Sequence, residues 1–330
     1  MNPKRRAALK IASLLLLAYG QARTGLARAQ GQYPAKPIRY IVPVAPGGGS
    51  DMIARVVTER WGKMLGQPIV VDNQSGAGGV IACQSTMRAA ADGCTIMQGY
   101  VATHGTSPAT RKVPYDPIRD FTAVGMIGGT PNVLVVGAGV PARSLTEFVD
   151  YVRKNPGKVS YGSAGQGSLT HLTMELFSHQ LDLAMVHVPY RGIAPAFTDL
   201  LGGQTQAMFP GLAAAMPHLR SGRAIPLAVT GAARHPLLKE VPTLEEGGLK
   251  GFDAMQWYGV VGPAGMPAGV VAMLNEKLNA VLAASDLRER LSAEAVEPMP
   301  MSPDQFAAFM KADIARWTRL ARERHIDLEN

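Results

Sequence analysis

Cysteine, aromatic residues and charge are all scarce in this sequence. Only two cysteines occur, Cys83 and Cys94. Two cannot build a disulfide framework, and neither stands in a Cys-x-x-Cys or Cys/His spacing that would hold a metal. One falls early in an expected helix and the other at the start of the following strand, too far apart to bridge. Both are expected to be free and buried, and no metal or cofactor is expected. Charged residues make up 18% of the chain and aromatic residues 6%, against 47% hydrophobic, the balance of a soluble globular protein. The formal charge of +8 is unevenly placed, because residues 1–29 hold six bases and no acid. Taking those six from +8 leaves +2, and so neutral a body argues against a nucleic-acid partner. Beyond the N-terminus there is no apolar run long enough to cross a bilayer.

Residues 1–29 read as a secretory signal. They combine a basic start, an apolar run from Ile11 to Tyr19, and the small-residue pattern Ala27-Arg28-Ala29 before Gln30. The stretch Arg5 to Lys10 follows the twin-arginine export pattern. Ala8 stands where a large apolar residue is common, so the route stays open between the twin-arginine and general pathways. The alternative is an uncleaved anchor on the membrane surface. No cysteine lies near the cleavage site, so a lipid anchor there is not expected. The mature chain is expected to be soluble and periplasmic.

The rest alternates short β-rich runs with helical patterns. "IRYIVPV" (38–44) predicts a strand. Ser50 to Leu65 predicts a helix with Ile53, Val56, Val57, Trp61 and Met64 on one face. "PIVVDN", a helix from Gly79 to Ala90, and "CTIMQG" complete a β-α-β-α-β order, which implies a parallel sheet covered by helices. The rhythm repeats with "KVSYGS", a helix from Ser168 to His179, "MVHVPY", the helix "IAPAFTDLLGG", "TQAMF", a helix over 211–221 and "IPLAVTG". From Ala268 the chain is mainly helical. Two stretches, "FTAVGMIGGTPNVLVVG" and "GFDAMQWYGVVGPAGMP", read as linkers between the units. The organisation expected is a signal over 1–29, one lobe from 30–129 plus 254–330, a second from 130–253, and a ligand cleft between them.

Four loops fall where a parallel sheet places its ligands, at the carboxyl ends of strands. They are "APGGGSD" (45–51), "SGAGG" (75–79), "GSAGQGS" (162–168) and "PYRGIAP" (189–195). Glycine lets backbone approach a ligand, and the helix that follows offers free N–H groups and a positive dipole end. Such sites attract anions without lysine or arginine, and Arg191 is the only base in these loops. None fits the dinucleotide or phosphate-loop patterns or the Gly-x-Ser-x-Gly nucleophile elbow. A carboxylate is therefore a better anion than a nucleotide. Ser168 and His171, three apart on one helix, leave an exported hydrolase as the rival reading. Ser168 also stands where an N-cap belongs.

These motifs carry a resemblance. "YPAKPIRYIVPVAPGGGSDMIAR", "NQSGAGGVIA", "YGSAGQGSLTHLTMELF", "HVPYRGIAPAFTDLLGGQ" and "WYGVVGPAGMP" occur in the order typical of the Bordetella uptake gene family, the extracytoplasmic receptors of tripartite tricarboxylate transporters. The likeness spans nearly all of the chain after the signal. Cys83, Cys94 and the loose third-strand loop "GYVATHGTSPA" depart from the family pattern. The resemblance implies an α/β fold like type II periplasmic binding proteins: two α/β lobes with parallel-type sheets, joined by two crossover strands. It also implies a non-enzymatic receptor, expected to be a monomer, that closes on a small carboxylic acid, held largely by backbone amides and water. The partners implied are membrane permease subunits or a sensor domain.

The ligand contacts expected on this basis are Ala45, Gly47, Gly48, Gly49 and Ser50 from the first loop. Asp51 either accepts a bond from ligand or serves as a favourable acid in the first helical turn. Ser75, Ala77 and Gly78 are expected from the second loop, with Gly79 beside them. Tyr100, Thr103 and His104 end the third strand, His104 being either a specificity residue or a solvated loop histidine. Ser163, Ala164, Gly167 and Ser168 are expected to line the second lobe, with His171 packing the helix. Tyr190, Arg191 and Gly192 follow; Arg191 grips a carboxylate bidentately or pairs with a neighbouring acid. Phe209 is expected to close over an apolar part of the ligand. Trp257 and Tyr258 are assigned to hinge packing, with stacking on ligand as the alternative.

Overall fold

A computed structural model describes residues 33–47, 49–250, 252, 254–323 and 325–326. The signal-like segment 1–29 and Gly48 lie outside the described residues.

The chain opens with β1 (Ile38–Val42), α1 (Gly49–Leu65), β2 (Ile69–Asn73), α2 (Val80–Met87) and β3 (Thr95–Tyr100). β1 pairs in parallel with both β2 and β3. Four of its five residues are buried, as expected of a strand covered on both faces. α1 packs through Ile53, Val56, Val57 and Trp61. Met64, expected on that face, is 45% exposed instead. A helix advances 100° per residue, and three residues past Trp61 the stripe has turned away from the sheet.

The two expected linkers are long strands. β4 (Phe121–Pro131) runs almost directly into β5 (Val133–Gly137); β4 belongs to the first sheet and β5 to the second. After β5 come α3 (Leu145–Lys154), β6 (Ser160–Ser163), α4 (Leu169–Gln180), β7 (Val186–Pro189), α5 (Ile193–Leu201), β8 (Ala207–Met208), α6 (Leu212–Arg220) and β9 (Ala224–Val229). β10 (Met255–Pro263) returns to the first sheet. There α7 (Ala268–Ala283), α8 (Ser285–Ala293), β11 (Glu297–Pro298) and α9 (Pro303–Glu323) complete the structure.

The first sheet has the order β11-β4-β10-β3-β1-β2 and the second β7-β6-β8-β5-β9. Leaving β11 aside, each sheet repeats one plan: of its three mutually parallel consecutive strands (β1, β2, β3 and β6, β7, β8) the first lies between the other two, and a crossover strand lies beside the third. That strand runs antiparallel to its neighbours: β10 against β3 and β4, β5 against β8 and β9. The sheets are thus mixed rather than wholly parallel, because the strand arriving from the other half enters from the opposite end. The two crossings are laced together. Asn132 donates its N–H to Thr230 Oγ1 (2.9 Å) and its Nδ2 to the Phe209 carbonyl (2.8 Å). Thr230 Oγ1 in turn donates to the Ala254 carbonyl. One apolar cluster runs through both halves, from Met97, Trp257 and Phe306 to Phe148, Phe177 and Phe252. Among the described residues no helix is long and apolar enough to cross a membrane. Both cysteines are free; Cys83 is buried, but Cys94 is only partly so.

Candidate functional site

The first loop is braced from within. Gly47 has a left-handed backbone (φ +87°), and its N–H donates to Asp51 Oδ2 at 2.9 Å. Arg55 Nε donates to the same oxygen (3.0 Å), while Asn73 Nδ2 reaches Asp51 Oδ1 (2.9 Å) and the Val44 carbonyl (3.0 Å). Burial raises the Asp51 pKa, but the bonds from Arg55, Gly47 and Asn73 outweigh it and hold the carboxyl below its ordinary value. Asp51, expected to reach the ligand, is therefore a buried staple of the loop; both of its oxygens are taken. Ser50, at the start of α1, is held from β3, where Gln98 Nε2 donates to Ser50 Oγ (2.6 Å) and to its carbonyl (3.1 Å).

The loop after β6 is braced in the same way. Ser163 is fully buried; its Oγ lies 2.7 Å from His187 Nε2 and accepts from Gly165 N. Gly167 donates its N–H to His171 Nδ1 (3.0 Å), and Ala164 donates to Thr170 Oγ1 (2.8 Å). Ser168 caps α4, its Oγ accepting from His171 N and donating to the Gly165 carbonyl (2.6 Å). The His171 ring therefore faces Gly167 and stacks on His187 (3.9 Å between centroids). It makes no pair with Ser168 Oγ, and the arrangement needed by the hydrolase reading is absent from this helix. Burial first, then the neighbouring His187, lowers the His171 pKa to about 4 against the pull of Glu175.

Several other expected contacts are committed to packing. His104 is fully buried, with Nδ1 2.9 Å from Thr103 Oγ1 and its ring edge-on to Phe121; burial lowers its pKa to about 3. It is neither a solvated loop residue nor a cleft residue. Thr103 is fully buried too and bonds back to Tyr100. Phe209, expected over the ligand, is fully buried just past the end of β8, where its ring packs against Phe177 of α4 and Phe252. Tyr190 donates to Asp199 Oδ2 (2.6 Å) and backs Gly162. Arg191 is exposed, and among the described residues it pairs with no acid. Gly192 ends its loop in a left-handed backbone (φ +112°) ahead of α5. Ser75, Ala77 and Gly78 are exposed, and Gly78 lies under the Arg111 guanidinium, where a Cβ would come within 2.3 Å of Nη2. Tyr100 bridges two apolar clusters, and Ala45 is exposed at the loop tip. Trp257 is fully buried, donating Nε1 to Asp313 of α9 (2.9 Å) and packing edge-on to Phe306 and Phe309, so it does not stack on ligand.

Between the two sheets lies a cavity of about 360 Å³. Gly49, Ser50 and Met52 line it from the start of α1, and Thr130, Gln256 and Tyr258 from the crossover strands. From the second half come Ala164, Thr170 of α4, Ile193 of α5, and Gly211, Ala213 and Ala214 at the start of α6. Glu294 completes the wall. Of the expected residues, Gly49, Ser50 and Ala164 meet here, together with Tyr258, for which stacking on ligand is the alternative to hinge packing. Sequence reasoning missed the start of α6, which carries no glycine-rich signature, and Glu294, far away along the chain. Four helices begin on this space. The first N–H groups of a helix lack i→i−4 partners; Ser168 Oγ takes the one at His171 and the Gly211 carbonyl the one at Ala214. The four dipoles add positive potential, so the cavity favours an anion although, among the described residues, no basic side chain lines it. A larger groove of about 720 Å³ lies outside it, around Leu237, Arg288 and Glu297; no long helix begins there. Among the described residues no cluster of histidine, cysteine and acid could hold a metal.

The molecule has known relatives. BugT of Bordetella pertussis is 35% identical over 88% of this chain and 90% of its own length. An R. palustris protein, Rpa4515, solved with adipate, superposes with a TM-score of 0.81 at 35% identity, covering 89% of this chain and 98% of its own. MatC of Rhodopseudomonas palustris, solved with bound malate, gives 0.76 at 34% identity, over 87% and 99%. Residues 53–326 match the tripartite tricarboxylate transporter family receptor, and the chain belongs to that family.

Proposed function

We propose that this protein is a periplasmic receptor that captures a small organic acid between two closing lobes and hands it to the permease of a tripartite tricarboxylate-type transporter. The carrying observation is the convergence of four helix N-termini, from both halves, on one cavity that, among the described residues, no basic side chain lines. A carboxylate there accepts bonds from backbone N–H groups contributed by each half, and so stabilises the closed arrangement over the open one. The bound adipate and malate of the two similar structures fit this chemistry. The division intended is 30–129 plus 254–330 against 130–253, hinged where Asn132, Thr230 and Ala254 meet. The working form is a monomer without a cofactor, and no chemistry on the ligand is needed. The segment 1–29 directs export.

Calorimetric titration of the mature chain with adipate, malate and related acids tests this reading. Binding at one site per chain, with every acid recovered unchanged by NMR, is expected. Consumption of a bound acid would restore an enzymatic reading, and failure of every carboxylate to bind would remove the carboxylate from it.

A further inference from the structure

Among the described residues, Glu294 is the one charged residue lining the cavity. It stands at the C-terminal end of α8, where the helix dipole adds negative potential to its own. The same cavity is lined by the four positive helix starts. It therefore holds anion-seeking groups together with one group that repels an anion. Glu294 is also firmly placed. The turn after it is closed by Ala295 N–H to the Ser292 carbonyl and Val296 N–H to the Leu291 carbonyl, both 2.9 Å. Ala295 adopts a left-handed backbone (φ +56°) and is fully buried in the apolar cluster of the second half. Among the described residues the Glu294 carboxylate makes no hydrogen bond or ion pair. An acid without a partner among the described residues, in a space lined by helix starts that draw carboxylates, penalises any ligand with negative charge at both ends.

We infer that the ligand is a carboxylic acid that also carries a cationic nitrogen, an ammonium or a protonated ring nitrogen, and that Glu294 is the group that recognises it. The inference rests on the carboxylate-receptor reading above and narrows it. The carboxylate sits at the helix starts, an apolar spacer lies along Met52 and Ile193, and the cation faces Glu294. A symmetric dicarboxylate satisfies the helix starts and is repelled by Glu294.

The test is a titration of the mature chain with three acids of matched length: 5-aminopentanoate, adipate and hexanoate. The first two share a four-methylene spacer and differ in the sign of the far group. The wild-type chain is expected to bind 5-aminopentanoate at least about tenfold more tightly than adipate, since opposite and like charges at contact differ by more than that factor even when partly screened. Glu294→Gln should erase the preference by weakening the amino acid and strengthening adipate, and Glu294→Asp should retain its direction. Melting curves of both variants show whether the fold is intact. Tighter binding of adipate by the wild type, or a preference that Glu294→Gln leaves in place, overturns the inference while the receptor reading stands. Binding of none of the three, with other carboxylates also failing, overturns both.

Discussion

Two acid-sensitive residues set how each loop holds its shape. Asp51 joins Gly47, Arg55 and Asn73, so Asp51→Ala strips three donors of one charged acceptor. A loss of about 2–3 kcal/mol is expected, read as a lower urea midpoint with an unchanged slope. Because its folded pKa lies below the unfolded value of about 3.9, its contribution is complete above that pH and disappears as pH falls through the folded value. His171 works in a higher window. Its neutral ring accepts from Gly167 N–H, and its pKa stands near 4 in the folded chain against about 6.5 unfolded. The unfolded chain therefore takes up a proton first. Stability is full above pH 6.5 and declines toward pH 4, with His187, lowered mainly by burial, acting in the same direction. A thermal melt series over this range should show the decline, and His171→Gln should flatten it. A melting temperature unchanged between pH 7 and 5 would refute this account.

At the scale of elements, the cavity depends on where helices begin. Gln98 ties the start of α1 to β3 through two bonds to Ser50. Gln98→Leu should lower affinity for a bound carboxylate about tenfold or more, since releasing that turn moves the N–H groups on which binding rests; calorimetry reads it directly. Gly79 has a left-handed backbone, and a Cβ on it would meet Thr103 Cγ2 at 2.4 Å. Gly79→Ala is expected to destabilise the chain by about 1–3 kcal/mol, seen in denaturant unfolding. The elements themselves were readable in sequence. Strand, glycine turn and helix follow one another in both halves, and the apolar spacing of α1 through Trp61 matches its buried face. The lining of the cavity was less so. Glycine and serine mark a turn, but whether a turn residue faces ligand or braces its neighbour depends on partners such as Asn73, Gln98 and His187, each on another strand. The start of α6 and the corner at Glu294 carry no local signature at all. They reach the cavity through tertiary packing alone.

For the whole molecule, the two sheets and their laced crossings predict a hinge. Saturation with a bound carboxylate should reduce the radius of gyration in X-ray scattering, and an unchanged value would show that capture needs no closure. The same saturation should raise stability by about 2.7 kcal/mol at a hundredfold excess over Kd. The crossing strands carry one more consequence. β10 lies between β3 and β4, yet it follows the entire second half in the chain. Until Pro263 has been synthesised, the N-terminal sheet has a vacant slot at its centre, whereas the later-starting sheet already has every strand by Val229. The part of the protein that is made first is thus the last to become whole, and a nascent chain has a long interval in which to remain unlocked.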